Sequence, residues 1–182
     1  MTERRDVAEV EALAGSDLEE LCEAAEDAIG DGGGFGWITP PRRHVMEAYW
    51  RGVLLVPQRS LFIARFEGTI AGSAQLVRPT ANAEARAFAV DLTTHFIAPR
   101  RAGGWAGALS RQSSSGAGRS ATRVINLDVR ETLQDGAIVL YDQMGYQRWG
   151  THPRYARVGG RYIAGHYYMK EIAPAAGETK AP

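Results

Sequence analysis

Between Ser16 and Gly30, apolar residues recur at three- and four-residue spacing: Leu18, Leu21, Cys22, Ala25 and Ile29. That period places them on one face of a helix. Ser16 followed three residues later by Glu19 has the form of a capping box, and Gly30 is a natural C-terminal stop. Cys22 falls on the buried stripe and reads as core rather than as a reactive thiol. Upstream, Val7, Val10 and Leu13 predict a short strand. Downstream, DGGGFGW at 31–37 is too glycine-rich for regular structure, and Thr39 with Pro40 and Pro41 opens a second helix through about Val53.

The period then changes. Ser60 to Glu67 and Thr69 to Arg78 are β-patterned and joined at Gly68, the form of a hairpin. A third β-run, Ala85 to Ala98, ends at Pro99. A Gly-rich turn and a helix over 104 to about 117 follow, then a strand from Arg123 to Val129. A helix runs from about Gln134 to Met144, stopped by Gly145, and strands lie near 146–151 and 161–171. This order predicts an α/β (α+β) fold in which a mixed central β-sheet is flanked by helices. Residues 1–172 form a single domain, and the tail APAAGETKAP at 173–182 is expected to be disordered.

Composition narrows the class. A chain of 182 residues, 45% hydrophobic and 23% charged, is one ordinary globular domain. No apolar stretch approaches the roughly 18 to 20 residues of a membrane-spanning helix, and MTERRDVAEVEA lacks the apolar run of a signal peptide. The single cysteine cannot form an internal disulfide and builds no zinc site. A cytoplasmic location without membrane contact is the expectation. Charge is balanced, 21 bases against 21 acids, but unevenly spread. Residues 1–31 hold eleven acids and two arginines, a net −9 that leaves +9 for the rest. Arg100 to Leu127 carries Arg100, Arg101, Arg111, Arg119 and Arg123 without an acid, which is either a solvated arginine face or an anion site. A nucleic-acid partner is not expected, because only Trp105 interleaves these arginines and no nucleic-acid module is recognisable.

Between the third β-run and its helix lies Arg100-Arg101-Ala102-Gly103-Gly104-Trp105-Ala106. Small residues there allow close backbone approach, and the first N–H groups of a helix together with its dipole suit an anion. Neither GxxxxGK[ST] nor GxGxxG is present. Arg101, Gly104 and Ala106 fit R-x-x-G-x-A, which resembles the pyrophosphate-binding loop of the GNAT superfamily of acetyl-CoA-dependent N-acetyltransferases. At the expected distance beyond it, INLDVR and then Ala137 to Tyr146, AIVLYDQMGY, are similar to the family's A-I-x-L-Y-x-x-x-G-F/Y signature. LFIARFEGTIAGSAQL resembles the family's strand hairpin, and GTHPRYARVGGRYIAGHYYMKEI resembles the C-terminal segment of its tabtoxin-resistance-like subgroup. The resemblance covers about residues 5–172.

The resemblance implies a GNAT fold whose splayed strands bind acetyl-CoA as cosubstrate. It places the pyrophosphate on the backbone of Ala102 to Ala106, with Arg100 and Arg101 nearby. It places the pantetheine arm between the strands ending near Ile97 and near Asp128, with a backbone N–H around Phe96 or Ile97 polarising the thioester. By family position Tyr141 protonates the departing thiolate, although periodicity alone also fits it into a core stripe with Ala137 and Met144. An amine acceptor must lose a proton, and Asp91 is the candidate base. A strand-end ion pair is its bland alternative, and His95, Glu47 and Asp128 are weaker candidates. Phe35, Trp37, Tyr49 and Trp50 offer an aromatic wall for an ammonium, with Trp50 equally suited to the core. His44, His152 and His166 have no metal-ligand spacing, so no metal is implied.

The function expected is acetyl transfer to a primary amine of a small molecule, by direct attack in a ternary complex, in a monomer or homodimer. Ala102 in place of a usual glycine, with SSSG in the following helix, keeps a second class open. That class is a non-catalytic module that binds CoA or acyl-CoA and acts through a protein partner.

Overall fold

A computed structural model describes residues 5–33, 36–98, 122–131 and 136–172. The elements in chain order are β1 (Arg5–Val10), α1 (Asp17–Gly30), α2 (Arg43–Val53), β2 (Arg59–Phe66), β3 (Thr69–Val77) and β4 (Ala89–Ile97). They continue with β5 (Val124–Arg130), α3 (Gly136–Gln143), β6 (Gln147–Val158) and β7 (Arg161–Glu171). The seven strands form one mixed sheet in the order β1-β2-β3-β4-β5-β7-β6. Neighbours are antiparallel except β4 and β5, which run parallel. The helix expected over 104–117, the start of the one expected from Gln134, and the tail 173–182 lie outside the described residues.

Alternation along β2 divides the interior in two. Leu61 and Ile63 join a core with Leu21, Cys22, Ala25, Ile29, Met46 and Trp50 from α1 and α2. Phe62 and Ala64 join the opposite core with Val90, Leu92, Ile125, Leu127 and Tyr141. Successive strand side chains point to opposite faces, so a strand buried on both sides feeds two cores.

Several boundaries differ from the sequence pattern for local reasons. Ser16 is the N-cap of α1 but has α-helical backbone angles, not the extended ones a capping box needs. Its hydroxyl donates to Glu20, not to the backbone. Helix α1 runs through Gly30, and its stop is Gly32 at φ 86°, with Gly33 N–H bonded to Ala28 and Gly32 N–H to Ile29. That is a Schellman ending, for which a left-handed residue is required. Helix α2 begins only at Arg43, because Pro40 and Pro41 disfavour helical angles in the residues before them. Glu84–Arg86 forms a 3-10 turn, so β4 starts at Ala89 rather than Ala85. β6 runs seven residues past Thr151 as a bulged edge strand, where Pro153 is tolerated because no neighbour needs its missing N–H.

Part of the charge asymmetry is satisfied internally. Arg65 of β2 meets Asp17 at 2.7 Å and Glu20 at 3.9 Å, and Arg43 of α2 lies 3.8 Å from Glu23 and 3.6 Å from Glu26. Glu20 also accepts the Ile70 N–H at 2.9 Å, tying the acidic start of α1 to β3.

Candidate active site

Strands β4 and β5 pair only where Ala89, Val90 and Asp91 meet Val124, Ile125 and Asn126. Beyond that point β4 stays on β3 and β5 stays on β7, so their facing edges diverge. A bulge helps to turn β4: its register against β3 shifts between Ser73 and Gln75, and Thr94 adopts φ 49°. A β-branched residue is strained in that region. A polar chain holds it there. Arg59 donates to Gln75 at 2.8 Å, Gln75 donates to the Tyr49 hydroxyl at 2.9 Å, and that hydroxyl lies 3.2 Å from Thr94 Oγ1.

The divergence leaves a notch lined by strand backbone. Ala98 donates its N–H to Ala71 on β3 at 2.8 Å. Backbone groups alternate sides along an antiparallel strand, so the N–H of Ile97 faces away from β3, into the notch. Gly72, opposite Ile97, keeps this stretch close to β3: a Cβ there would lie 2.3 Å from the Phe96 carbonyl oxygen. Thr93 Oγ1, on the same separated stretch, is buried with no hydrogen-bond partner among the described residues. Open strand edges fit an extended ligand carrying amide groups, as the pantetheine arm of CoA does.

On the α3 face, the Tyr141 hydroxyl lies 2.8 Å from Nδ1 of His95. Its ring packs against Tyr146 and Tyr168, with centroids 5.5 and 6.1 Å away. Burial first, then the neighbouring Tyr146 and the charge of Asp128, push the Tyr141 hydroxyl well above the ordinary tyrosine value. Tyr141 is therefore a core residue whose hydroxyl keeps its proton at physiological pH.

On the opposite face, Arg86, Asp91, Asn126, Asp128, Trp149 and Tyr167 line most of a cleft of about 330 Å³. Asp91 accepts from Arg86 at 3.3 Å and from Asn126 at 3.4 Å. Tyr155 donates its hydroxyl to Asp128, and its ring stacks over Gly165, where a Cβ would collide with it. Burial and the hydrogen bond to Asp128 push the Tyr155 hydroxyl upward as well. Arg130 donates to the Gly32 carbonyl at 3.0 Å, tying the α1–α2 connection to β5.

Raised tyrosines have a consequence at alkaline pH. Folding holds these protons more tightly, so their stabilisation is whole below about pH 10, where unfolded tyrosine begins to ionise, and is lost as pH rises further. The folded chain is expected to show less tyrosinate absorbance than its seven tyrosines allow, with the remainder appearing only as tertiary circular dichroism is lost. Complete ionisation before unfolding would contradict these environments.

The structure brings Ile97 and Tyr141 to the notch and sets Asp91 on the other face of the sheet, at the paired end of β4. Trp37 and Tyr49 stack edge-to-face at 5.2 Å, but Trp50 is fully buried against Phe96 and is core rather than wall. Glu47 is bound to Arg51 at 3.2 Å, and His166 to Thr151 at 3.2 Å. Phe35 and the whole of Arg100, Arg101, Ala102, Gly103, Gly104, Trp105 and Ala106 lie outside the described residues. Trp149, Tyr155 and Tyr167 were not singled out by spacing. Their only trace in sequence is alternation along two long strands, which marks a face but not what it faces. Among the described residues no group of three potential metal ligands comes together, and no helix is long and apolar enough to cross a membrane.

No protein-family model matches the chain. Over 127 residues it is 54% identical to an uncharacterized N-acetyltransferase from the hisH–hisA intergenic region of Azospirillum brasilense, covering 69% of this chain and 76% of that protein. Its fold is similar to that of an N-acetyltransferase from Staphylococcus aureus Mu50, with TM-score 0.76 and 13% identity over 92% of this chain and 98% of that one. It is also similar to a GNAT superfamily phosphinothricin acetyltransferase from Sinorhizobium meliloti in complex with acetyl-CoA. There the TM-score is 0.73 and the identity 19%, over 97% of this chain and 95% of that one.

Proposed function

The chain belongs to the GNAT family of N-acetyltransferases, and on that premise we propose that it moves the acetyl group of acetyl-CoA to a primary amine of a small molecule. The transfer is a direct attack in a ternary complex, in a cytoplasmic monomer or homodimer of the tabtoxin-resistance-like subgroup. The observation that carries this reading is the notch between β4 and β5, with the Ile97 N–H directed into it and Tyr141 on its α3 side. Family membership weighs against a module that only binds CoA.

Each residue has a role set by its chemistry. The Ile97 N–H donates to the thioester oxygen, where negative charge develops during attack. Tyr141 gives its proton to the sulphur as the C–S bond breaks. Arg100, Arg101 and the backbone of Ala102 to Ala106 hold the pyrophosphate. The amine enters from the cleft, where the Asp91 and Asp128 carboxylates and the Trp149 and Tyr167 faces suit an ammonium. Asp91, held between Arg86 and Asn126, takes the proton the amine must lose. Trp37 and Tyr49 lie on the same face of the sheet.

Calorimetric titration of acetyl-CoA, CoA and dephospho-CoA tests the reading. Binding in the micromolar range, weakened by loss of the 3′-phosphate, is expected, and absence of binding would overturn it. Asp91→Asn is expected to lower turnover at neutral pH by about 10-fold or more without changing acetyl-CoA affinity. Wild-type turnover in that variant would return Asp91 to a purely structural ion pair.

A further inference from the structure

The contact between His95 and Tyr141 has no part in the roles above. Thr94 bonds Tyr49 on the α2 side of the sheet, and Phe96 is buried in that same core. His95, between them, turns to the α3 face. There its Nδ1 lies 2.8 Å from the Tyr141 oxygen, with the two ring planes inclined at 50° and the centroids 5.8 Å apart. The rings meet through their polar atoms and do not stack.

A hydroxyl that serves as an acid needs its proton aimed at the leaving group and a way to regain one. Tyr141 is poorly placed to remain a tyrosinate: it is buried, Tyr146 and Tyr168 pack on it, and the charge of Asp128 acts against a second anion. If Tyr141 donated to His95, its proton would be committed to the ring. If His95 donates, the tyrosine oxygen is the acceptor and its own O–H is free to turn elsewhere.

We propose that His95 is the positioning residue for Tyr141: it carries a proton on Nδ1, donates it to the Tyr141 oxygen, and so directs the Tyr141 O–H toward the notch. The inference rests on the reading of Tyr141 as the acid. As the new C–N bond forms, the electron pair of the C–S bond stays on sulphur. Sulphur takes the Tyr141 proton, the Nδ1–H of His95 holds the tyrosinate oxygen meanwhile, and that oxygen regains a proton from water that enters as CoA leaves. Tyr141 is neutral before and after.

The first arm of the test uses the full chain labelled with nitrogen-15 histidine and needs no acetyl-CoA. The His95 Nδ1 resonance is expected to be that of a protonated nitrogen and to shift in Tyr141→Phe. A bare Nδ1 with the proton on Nε2 overturns the proposal. In a second arm, His95→Leu removes the donor and His95→Gln keeps one. Release of CoA from acetyl-CoA, with water as acceptor, is expected to slow at least 10-fold in His95→Leu and to recover most of its rate in His95→Gln, while the Kd for acetyl-CoA holds in both. An unchanged rate in His95→Leu overturns the proposal. Failure of the wild-type chain to bind acetyl-CoA would instead overturn the transferase reading, which separates the two failures.

Discussion

Tyr141→Phe is expected to lower turnover by about 100-fold, within the 10² to 10⁴ range typical of a positioned acid or base. Affinity for acetyl-CoA should be unchanged, because the phenyl ring keeps the packing against Tyr146 and Tyr168. Only the hydroxyl and its bond to His95 disappear, a loss of about 1 kcal/mol in stability. Steady-state rates, titration of acetyl-CoA and a thermal melt on the same preparation separate these effects. Full activity in the variant would leave Tyr141 as core alone, while loss of folding without the expected catalytic defect in the folded fraction would point the same way.

Trp50→Ala should have the largest effect on stability. The indole is fully buried on α2, 6.4 Å from the Phe96 ring and 5.0 Å from that of Tyr49. Truncation of a buried tryptophan costs about 3–5 kcal/mol, a large share of the roughly 5–15 kcal/mol that holds a domain together. Because Phe96 adjoins Ile97 on β4, the cavity also loosens the strand that presents the Ile97 N–H. Urea unfolding should show the loss of stability, and acetyl-CoA affinity should weaken in the folded variant. A change below about 1 kcal/mol would contradict the packing. Trp50→Phe should recover most of the stability.

Part of the candidate site was legible in the sequence, through its resemblance to the family's motifs. The AIVLYDQMGY run, through that resemblance, made Tyr141 a candidate acid, and the same resemblance made Phe96 or Ile97 a candidate backbone donor. The cleft proposed to admit the amine was not legible as a cleft. Asp91 and Asp128 are ordinary strand carboxylates until β4 and β5 come together, and Trp149, Tyr155 and Tyr167 belong to a hairpin that folds back beside them. Trp50 was divided between wall and core, since helical spacing gives a face and not a depth. His95 had no partner in sequence: the one it bonds is 46 residues away.

Among the described residues, the sequence by itself determined which segments are helices and which are strands, though not all their ends, because the periods of 3.6 and 2 are written in local residue choice. It determined the turn at Gly68 and the family signature as well. Tertiary structure alone decided which strands adjoin and that β4 and β5 diverge after three paired residues. It also decided that a bulge at Thr94 turns His95 onto Tyr141. Those features depend on contacts between residues far apart in the chain, whose energies are set by packing and backbone pairing that no local pattern encodes.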